Sequence, residues 1–326
     1  MTIPPAESLD RPASDMSEIE RCRTREYNAT VTSRRLANSE LMIMRIEHDH
    51  PPAHIEAGQY LTLGLGVWEP RCDDVPPFPG YNLAERTKLI QRAYSLCCPM
   101  LEEGELVTVN QLPFLEFYVT LVSKPGDSPP SLTPRLFALA PGDRLHCGPK
   151  PHGTYTLKGI EPQHHILFLA TGTGEAPHDA MLPELLTRGH RGHIVSCVCV
   201  RKKADLGYLD VHREIERRFP QYKFIGLTTR EPENLDATRA DYIGKPYLQD
   251  LFVSGRFDRQ IGFSPDPATT HVFISGNPEM IGLPAHAASG AKVYPVKTGM
   301  IEILERRGFV MDTPHRPGNI HFETYW

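Results

Sequence analysis

Residues 165–177 read HILFLATGTGEAP, and this stretch decides the fold of the C-terminal half of the chain. The uninterrupted apolar run at 166–170 predicts a strand that is buried on both faces, as in a parallel sheet. A glycine-rich turn follows, and Pro177 fits the first position of a helix. Further apolar strand-like runs alternate with helical stretches up to the C-terminus, and they lie at 193–200, 223–230 and 271–276. This half is therefore predicted to be a doubly wound α/β domain with a parallel sheet.

The N-terminal half has a different pattern, with short strand-like runs separated by turn residues from Tyr27 to about Gly148. The runs are YNATVTSRRLA, ELMIMRIEH, QYLTLGL, RAYSLC, EFYVTLV and DRLHCG. Such a series predicts a small antiparallel β-barrel, with one helix at LTPRLFAL and a proline-rich surface excursion over residues 66–91. We expect a disordered tail over 1–18, a barrel domain over 19–159 and an α/β domain over 160–326.

Composition excludes several classes of protein. The 326 residues are 40% hydrophobic and carry a net charge of -5, which is typical of a globular protein and argues against nucleic-acid binding. The longest apolar runs fall short of the roughly 18 residues that span a bilayer, and the first residues lack the features of a signal peptide. The seven cysteines show no spacing typical of a metal or iron–sulfur site. We expect a cytoplasmic protein with reduced thiols and no metal.

The turn after the first parallel strand carries Gly172, Thr173 and Gly174 in a G-x-G-x-x-P pattern. Glycines at a helix N-terminus let a diphosphate approach backbone N–H groups. Cations beyond the neighbouring strands would suit a 2′-phosphate, and they are Arg201, Arg230 and Lys245. A merely tight turn with solvated loop cations is the alternative interpretation.

A second motif, R-A-Y-S at residues 92–95, lies in a predicted barrel strand. Alternation places Arg92 and Tyr94 on one face and Ala93 and Ser95 on the other. A guanidinium can neutralise a pyrophosphate, and a tyrosine ring can stack on a flat heterocycle. Ordinary strand packing of Tyr94 is the alternative.

Taken together, these motifs resemble the ferredoxin–NADP⁺ reductase superfamily, and specifically its bacterial ferredoxin/flavodoxin reductases. The resemblance runs from about Tyr27 to Trp326, through RAYS, EFYVTLV, LTPRL, KPHGT, ATGTGEAP, ISGNPEM and NIHFETYW in that order. It implies an FAD-binding antiparallel barrel, an NADP(H)-binding α/β domain and hydride transfer between nicotinamide C4 and flavin N5.

For the flavin, the resemblance implies that Arg92 contacts the FAD pyrophosphate, Tyr94 stacks on the isoalloxazine and Ser95 lies near N5. Thr133 matches the residue at the start of the barrel helix that meets the FAD diphosphate. At the C-terminus, Tyr325 matches the aromatic residue that covers the other flavin face. Trp326 is an extra residue, for which packing against a bent FAD and displacement on binding are both open. Ala93 completes the flavin-binding run.

For the nicotinamide cofactor, the resemblance implies that Gly172, Thr173 and Gly174 hold the diphosphate, and that Arg201, Arg230 and Lys245 hold the 2′-phosphate. Gly276 and Met280 belong to the segment where the nicotinamide is expected. The expected catalytic residues are Ser95, Ser275, Glu323 and Tyr325. Ser275 stands where the family usually has cysteine, which puts turnover in question more than binding.

The resemblance also implies ferredoxin or flavodoxin as the partner of a monomeric reductase. Both carriers are acidic, so a basic docking face is expected, and the candidate residues are Arg34, Arg35, Arg201, Lys202, Lys203, Arg306 and Arg307. Two alternatives are open. The chain could be the reductase component of an oxygenase system with a separate electron carrier, or a binding module with little hydride transfer, which only Ser275 favours.

Overall fold

The computed structural model describes residues 13–72, 87–122, 131–286 and 291–325. In the N-terminal half, its described helices are α1 (Ala13–Glu26) and α2 (Thr133–Ala138). The described strands there are β1 (Ala29–Asn38), β2 (Leu41–His48), β3 (Tyr60–Gly66), β4 (Leu89–Cys97), β5 (Leu101–Glu102), β6 (Glu105–Leu106), β7 (Leu115–Thr120) and β8 (Arg144–Cys147). The predicted helix at LTPRLFAL is confirmed as α2.

Six of these strands close an antiparallel barrel in the order β1-β2-β7-β4-β3-β8. In β3, Leu61, Leu63 and Leu65 are fully buried, because alternate side chains of a strand point to the same face. Phe117 of β7 is likewise fully buried. The predicted antiparallel barrel is confirmed, and it comprises the six runs on which the prediction rested.

Helix α1 begins at Ala13, inside the segment expected to be a disordered tail, so that expectation does not hold for residues 13–18. Its C-terminal end is attached to the barrel through Glu69. The Glu69 carboxylate accepts hydrogen bonds from Arg23 Nε at 2.8 Å, from the Tyr27 hydroxyl at 2.9 Å and from Trp68 Nε1 at 2.8 Å. The start of the proline-rich excursion is therefore part of the packed structure, whereas residues 73–86 lie outside the described residues.

The C-terminal half alternates strands and helices. Its described strands are β9 (His165–Thr171), β10 (Ile194–Val200), β11 (Tyr222–Thr228), β12 (Thr270–Gly276), β13 (Ala285–His286), β14 (Lys292–Val293) and β15 (Ile320–Thr324). The described helices are α3 (Ala176–Thr187), α4 (Leu209–Arg218), α5 (Pro232–Leu235), α6 (Leu248–Val253), α7 (Arg256–Ile261), α8 (Pro278–Ile281) and α9 (Met300–Arg306). No described helix is long and apolar enough to cross a membrane.

Five strands form a sheet in the order β11-β10-β9-β12-β15, and their pairings are parallel. The predicted α/β domain is thus confirmed. The direction of winding changes between β9 and β12, and ligands bind at such a switch point, beyond the carboxyl ends of the strands. The turn after β9 and the segment after β12 meet there.

Two features of this half differ from the expectation. The C-terminal residues form the edge strand β15, with Ile320 paired to Val272, and were expected only as an aromatic tail. Pro183 predicts a helix that is kinked or split at that position, but α3 runs unbroken from residue 176 to 187 with most of its side chains in the core. Tertiary packing there offsets the hydrogen bond that the proline removes.

Candidate functional site

A cavity of about 840 Å³ lies at the carboxyl ends of β9, β10 and β12. Gly172 and Thr173 line it, and a side chain at position 172 would meet nothing within 4 Å. Gly174 and Gly276 have the opposite role, since a Cβ atom at either position would collide with the other loop at Ser275 or Thr171. The two loops therefore approach closely because glycine occupies these positions, which leaves an open cradle at the start of α3.

The predicted cations surround this cavity, although they differ in their partners. Arg201 Nη2 bonds to Glu40 of the barrel domain at 2.6 Å, and its Nε lies 3.7 Å from Asp205. Within the described residues, Arg230 and Lys245 have no ion pair, and both are exposed. Among the described residues, an incoming anion thus meets two cations without an ion pair, Arg230 and Lys245. Arg201 must first release the Glu40 carboxylate before it can bind the anion.

Some cavity residues were missed by sequence reasoning. Tyr247 is 47% exposed and lines the cavity, where its ring offers a stacking surface. Lys297 also lines it and bonds to Glu279 at 3.0 Å. Tyr247 stands two residues after Lys245, so an aromatic residue beside a predicted phosphate cation was the available signal. Lys297 gave no signal, because it belongs to the stretch 283–297, which carries no motif.

The four expected catalytic residues converge where the two domains meet. Ser95 Oγ of β4 donates a hydrogen bond to Glu323 Oε2 at 2.9 Å, across 228 positions of sequence. Ser275 pairs with Glu323 in the register of β12 and β15. The Tyr325 hydroxyl interacts with the hydroxyls of Ser95 and Ser275, and its backbone N–H donates to the carbonyl of Gly276 at 3.1 Å.

Burial changes the titration of this group. It raises the pKa of Glu323 above that of an ordinary carboxyl group, although the Ser95 hydroxyl partly offsets the shift. It also raises the pKa of Tyr325, and the nearby Glu323 charge adds to that effect. A carboxyl group with a raised pKa beside a hydroxyl can hold and pass a proton.

The remaining barrel residues lie at or near β4. Arg92 and Ala93 are exposed, and Tyr94 is half-buried. At the start of α2, Thr133 Oγ1 accepts the backbone N–H of Val122 at 3.1 Å. This bond ties the helix start to the end of the EFYVTLV run. Trp326 lies outside the described residues.

The expected basic docking residues are spread over separate elements. Arg34 donates to the carbonyls of Phe137 and Leu139 at the end of α2. Arg306 and Arg307, on and just after α9, are paired with Glu302 and Asp258. These contacts link Arg34, Arg306 and Arg307 to their own domains. Arg35 donates to the carbonyl of Gly207 and Arg201 bonds to Glu40, so these two arginines connect the domains.

The family model of the oxidoreductase NAD-binding domain matches residues 168–285. A curated ferredoxin–NADP reductase of Azotobacter vinelandii is 29% identical over 268 residues, which cover 80% of this chain and 89% of that protein. The flavodoxin/ferredoxin–NADP reductase of Shigella flexneri is 28% identical over 71% of this chain and 77% of its own length. Over most of its length the chain is thus similar to ferredoxin–NADP reductases.

Solved structures share the fold. A ferredoxin NADP⁺ reductase from Neisseria gonorrhoeae with bound FAD and NADP superposes with a TM-score of 0.65 at 18% identity, covering 92% of this chain and 98% of that one. A cytochrome P450 reductase from Amycolatopsis superposes with a TM-score of 0.58 at 22% identity, over 92% of this chain and 69% of that one. These likenesses show that the two-domain fold of the chain is shared with both reductases.

Proposed function

We propose that this protein is an FAD-dependent ferredoxin/flavodoxin–NADP⁺ reductase. The observation that carries the proposal is the meeting of β4 with the ends of β12 and β15. There Ser95 and Glu323 share a hydrogen bond beside the cationic cavity. A barrel strand and a nucleotide-binding edge brought together in this way can hold two redox cofactors in contact.

The barrel residues fit an FAD. Arg92 extends into solvent from the same strand that carries the half-buried Tyr94 ring and the buried Ser95 hydroxyl. These groups offer a cation for the pyrophosphate, a stacking surface for the isoalloxazine and a hydrogen bond near N5. Thr133 lies at the start of the barrel helix, where free N–H groups attract a diphosphate. When bound, FAD supplies the hydride and single-electron chemistry of the reaction.

The cavity fits NADP(H) better than NAD(H). Its volume of about 840 Å³ lies within the range of ligand sites. The open cradle at Gly172 suits the diphosphate, and Arg201, Arg230 and Lys245 suit the 2′-phosphate. The exposed Tyr247 ring suits the adenine.

The chain's own residues then orient the reacting groups and handle protons. We call the contact between β4 and the ends of β12 and β15 the seam. Ser95 holds the Glu323 carboxyl group in place there, and burial favours a proton on that carboxyl group. Glu323 can deliver this proton through the Ser95 hydroxyl. Ser275 and Gly276 end β12, and Met280 lies just after this strand and lines the cavity. These residues would limit where a nicotinamide ring can lie. Tyr325 lies directly after β15, where its backbone N–H donates to the carbonyl of Gly276 at the end of β12.

The expected domain division, with FAD on residues 19–159 and NADP(H) on 160–326, forms part of the proposal. So do a cytoplasmic location, a monomeric state and an acidic carrier protein, ferredoxin or flavodoxin, as electron partner. The alternative of an oxygenase reductase component shares the same redox site and differs only in the carrier, and no contact within the described residues favours it.

One experiment tests the redox core directly. The purified protein should show a flavin absorbance band that bleaches rapidly under anaerobic conditions with one equivalent of NADPH and slowly with NADH. A colourless protein that cannot be reconstituted with FAD, or a yellow protein that neither nucleotide reduces, would contradict the proposal. Reoxidation by a purified ferredoxin and by a flavodoxin, compared with ferricyanide, would then identify the carrier class.

A further inference from the structure

A buried cluster of ionisable side chains lies directly behind the proposed diphosphate turn. His212 of α4 bonds through Nε2 to Glu175 Oε1 at 2.9 Å, and Asp179 Oδ1 lies 3.3 Å from the same nitrogen. The other ring nitrogen of His212, Nδ1, lies 2.8 Å from the Tyr222 hydroxyl. Each of these four residues is at most 2% exposed. The cluster is sealed from solvent and separate from the groups that face the cavity.

The two carboxyl groups occupy an unfavourable position for an anion-binding turn. Glu175 directly follows Gly174, and Asp179 lies one helical turn further along α3. A negative charge here would oppose a diphosphate at the same helix N-terminus, because both would interact with the same positive end of the helix dipole. Glu175 Oε2 has no hydrogen-bond partner among the described residues, so its charge is not spread over further donors.

His212 is placed to cancel this charge. One ring nitrogen contacts both carboxyl groups, and the Tyr222 oxygen can accept from the other nitrogen, so both N–H groups of an imidazolium have partners. Burial lowers the pKa of His212, but its hydrogen bonds to Asp179 and Glu175 raise it by more. Burial and the Glu175 charge raise the pKa of Asp179. The imidazolium form of His212 therefore has carboxyl oxygens at one ring nitrogen and a hydroxyl oxygen at the other, an arrangement that suits it to compensate negative charge behind the turn.

We propose that His212 is a charge-compensating positioning residue, whose imidazolium neutralises the carboxylates behind the Gly172–Gly174 turn and thereby keeps that turn able to bind the dinucleotide diphosphate. The inference rests on the proposed function and adds to it a residue that touches neither cofactor. A purely structural His212 would have to pack or hydrogen-bond in the same way without affecting the anion. The two roles are separable because charge can be restored without restoring the histidine.

The test measures NADP⁺ and NAD⁺ affinity of the oxidised holoenzyme by calorimetry, for the wild type and for H212Q, E175Q and the double variant E175Q/H212Q. H212Q should weaken both nucleotides to a similar extent, by between about twofold and thirtyfold, since a charge at a helix terminus has effects of this size. E175Q/H212Q should regain most of the lost affinity. E175Q alone should stay within about threefold of the wild type, because Asp179 can ionise in its place beside His212.

His178 offers a matched control. It is 2% exposed, bonds to the Tyr155 hydroxyl at 2.7 Å and stacks on Phe168, with no carboxylate bonded to it among the described residues. H178Q should lower the melting temperature without changing nucleotide affinity. The inference is overturned if H212Q binds both nucleotides like the wild type, or if the double variant binds as weakly as H212Q. A stoichiometric divalent cation that EDTA removes together with NADP⁺ affinity would also overturn it, since the cation would then supply the charge.

If H212Q does not fold, the inference is tested by measuring the NADP⁺ affinity of the wild type and of E175Q between pH 7 and pH 10. Loss of protons from the cluster should weaken NADP⁺ binding more steeply in the wild type than in E175Q, and identical slopes would overturn the inference. Among the described residues, the other ionisable groups that interact with the cluster are Glu216, Glu116, Cys97, Cys98, Tyr118 and Tyr208. A wild type that binds neither nucleotide would refute the proposed function and the inference together. Normal wild-type binding with no charge rescue would refute the inference alone.

Discussion

Replacing Arg230 with alanine should separate NADPH from NADH more strongly than any other single change at the cavity. Arg230 is exposed, lines the cavity and has no ion pair among the described residues, so its guanidinium gives up no protein partner when a phosphate binds. Its backbone N–H donates to the carbonyl of Arg201 at 2.7 Å, which holds the loop independently of the side chain. R230A should therefore remove the phosphate contact and leave the loop in place.

The size of the effect follows from the contact that is lost. Hydrogen bonds to charged groups contribute about 1.5 to 3 kcal/mol, which corresponds to a loss of about 10- to 150-fold in kcat/KM for NADPH. For NADH, which has no 2′-phosphate, the change should stay within about threefold. R201A should cost less than R230A, because Arg201 already bonds to Glu40 at 2.6 Å and must break that ion pair to bind a phosphate. An exposed ion pair of this kind contributes up to about 1 kcal/mol, so E40Q should improve NADPH use by up to about fivefold.

The assay is steady-state reduction of ferricyanide by NADPH and by NADH, at fixed low ionic strength, for R230A, R201A and E40Q. Ferricyanide bypasses the protein carrier, so the kinetics report the nucleotide site. An equal loss with both nucleotides in R230A would refute the 2′-phosphate assignment. A larger loss in R201A than in R230A would refute the argument from the Glu40 ion pair.

Three further perturbations test other parts of the molecule. S95A should raise the pKa of Glu323 further, because it removes the hydrogen bond that stabilises the carboxylate. It should slow flavin reduction by about a hundredfold in stopped-flow measurements, and the Glu323-dependent limb of the pH profile should move to higher pH. Burial lowers the pKa of His178 to about 3 and that of His271 to about 4, so the unfolded chain takes up protons near pH 6.5 while the folded chain does not. The free energy of unfolding should therefore be fully present above pH 6.5 and fall below it by up to about 1.4 kcal/mol per pH unit for each histidine. A melting temperature that stays constant from pH 7 to pH 5 would contradict this. F117A should lower the free energy of unfolding by about 3 to 5 kcal/mol in urea, because Phe117 is fully buried in the barrel.

Much of the fold could be predicted from local patterns. Alternation in the barrel strands and the continuous apolar runs of the parallel strands each report how many faces of a strand are buried. Strand β15 escaped prediction because IHFET has only two apolar residues and lies at a sheet edge. Its pairing of Glu323 with Ser275 depends on a non-local register that no short motif encodes.

The site was predictable as separate motifs and not as an arrangement. RAYS and GTGEAP identify residues that can contact phosphates and rings. Glycine lets a diphosphate approach the backbone N–H groups, and arginine supplies the charge that neutralises a phosphate. The Arg201–Glu40 ion pair spans 161 positions and joins the two domains, so it follows only from the assembled structure. Glu175 shows the same limit, because it occupies an unconstrained position of the turn motif and its importance arises from His212 of a later helix.

The seam between the domains explains why these polar contacts lie where they do. Hydride transfer requires the reacting atoms to approach to about 3 to 3.5 Å, so a small slip of one domain against the other would abolish it. An apolar seam would resist such a slip weakly, because dispersion contacts are non-directional. Here Cys97 of the barrel donates to the Tyr208 hydroxyl at 3.2 Å, and Tyr208 donates to Glu116 at 2.7 Å. Sliding the domains would leave these buried groups unpaired, at a cost of about 1 to 3 kcal/mol each, so the seam permits one register and thereby fixes Ser95 against Glu323.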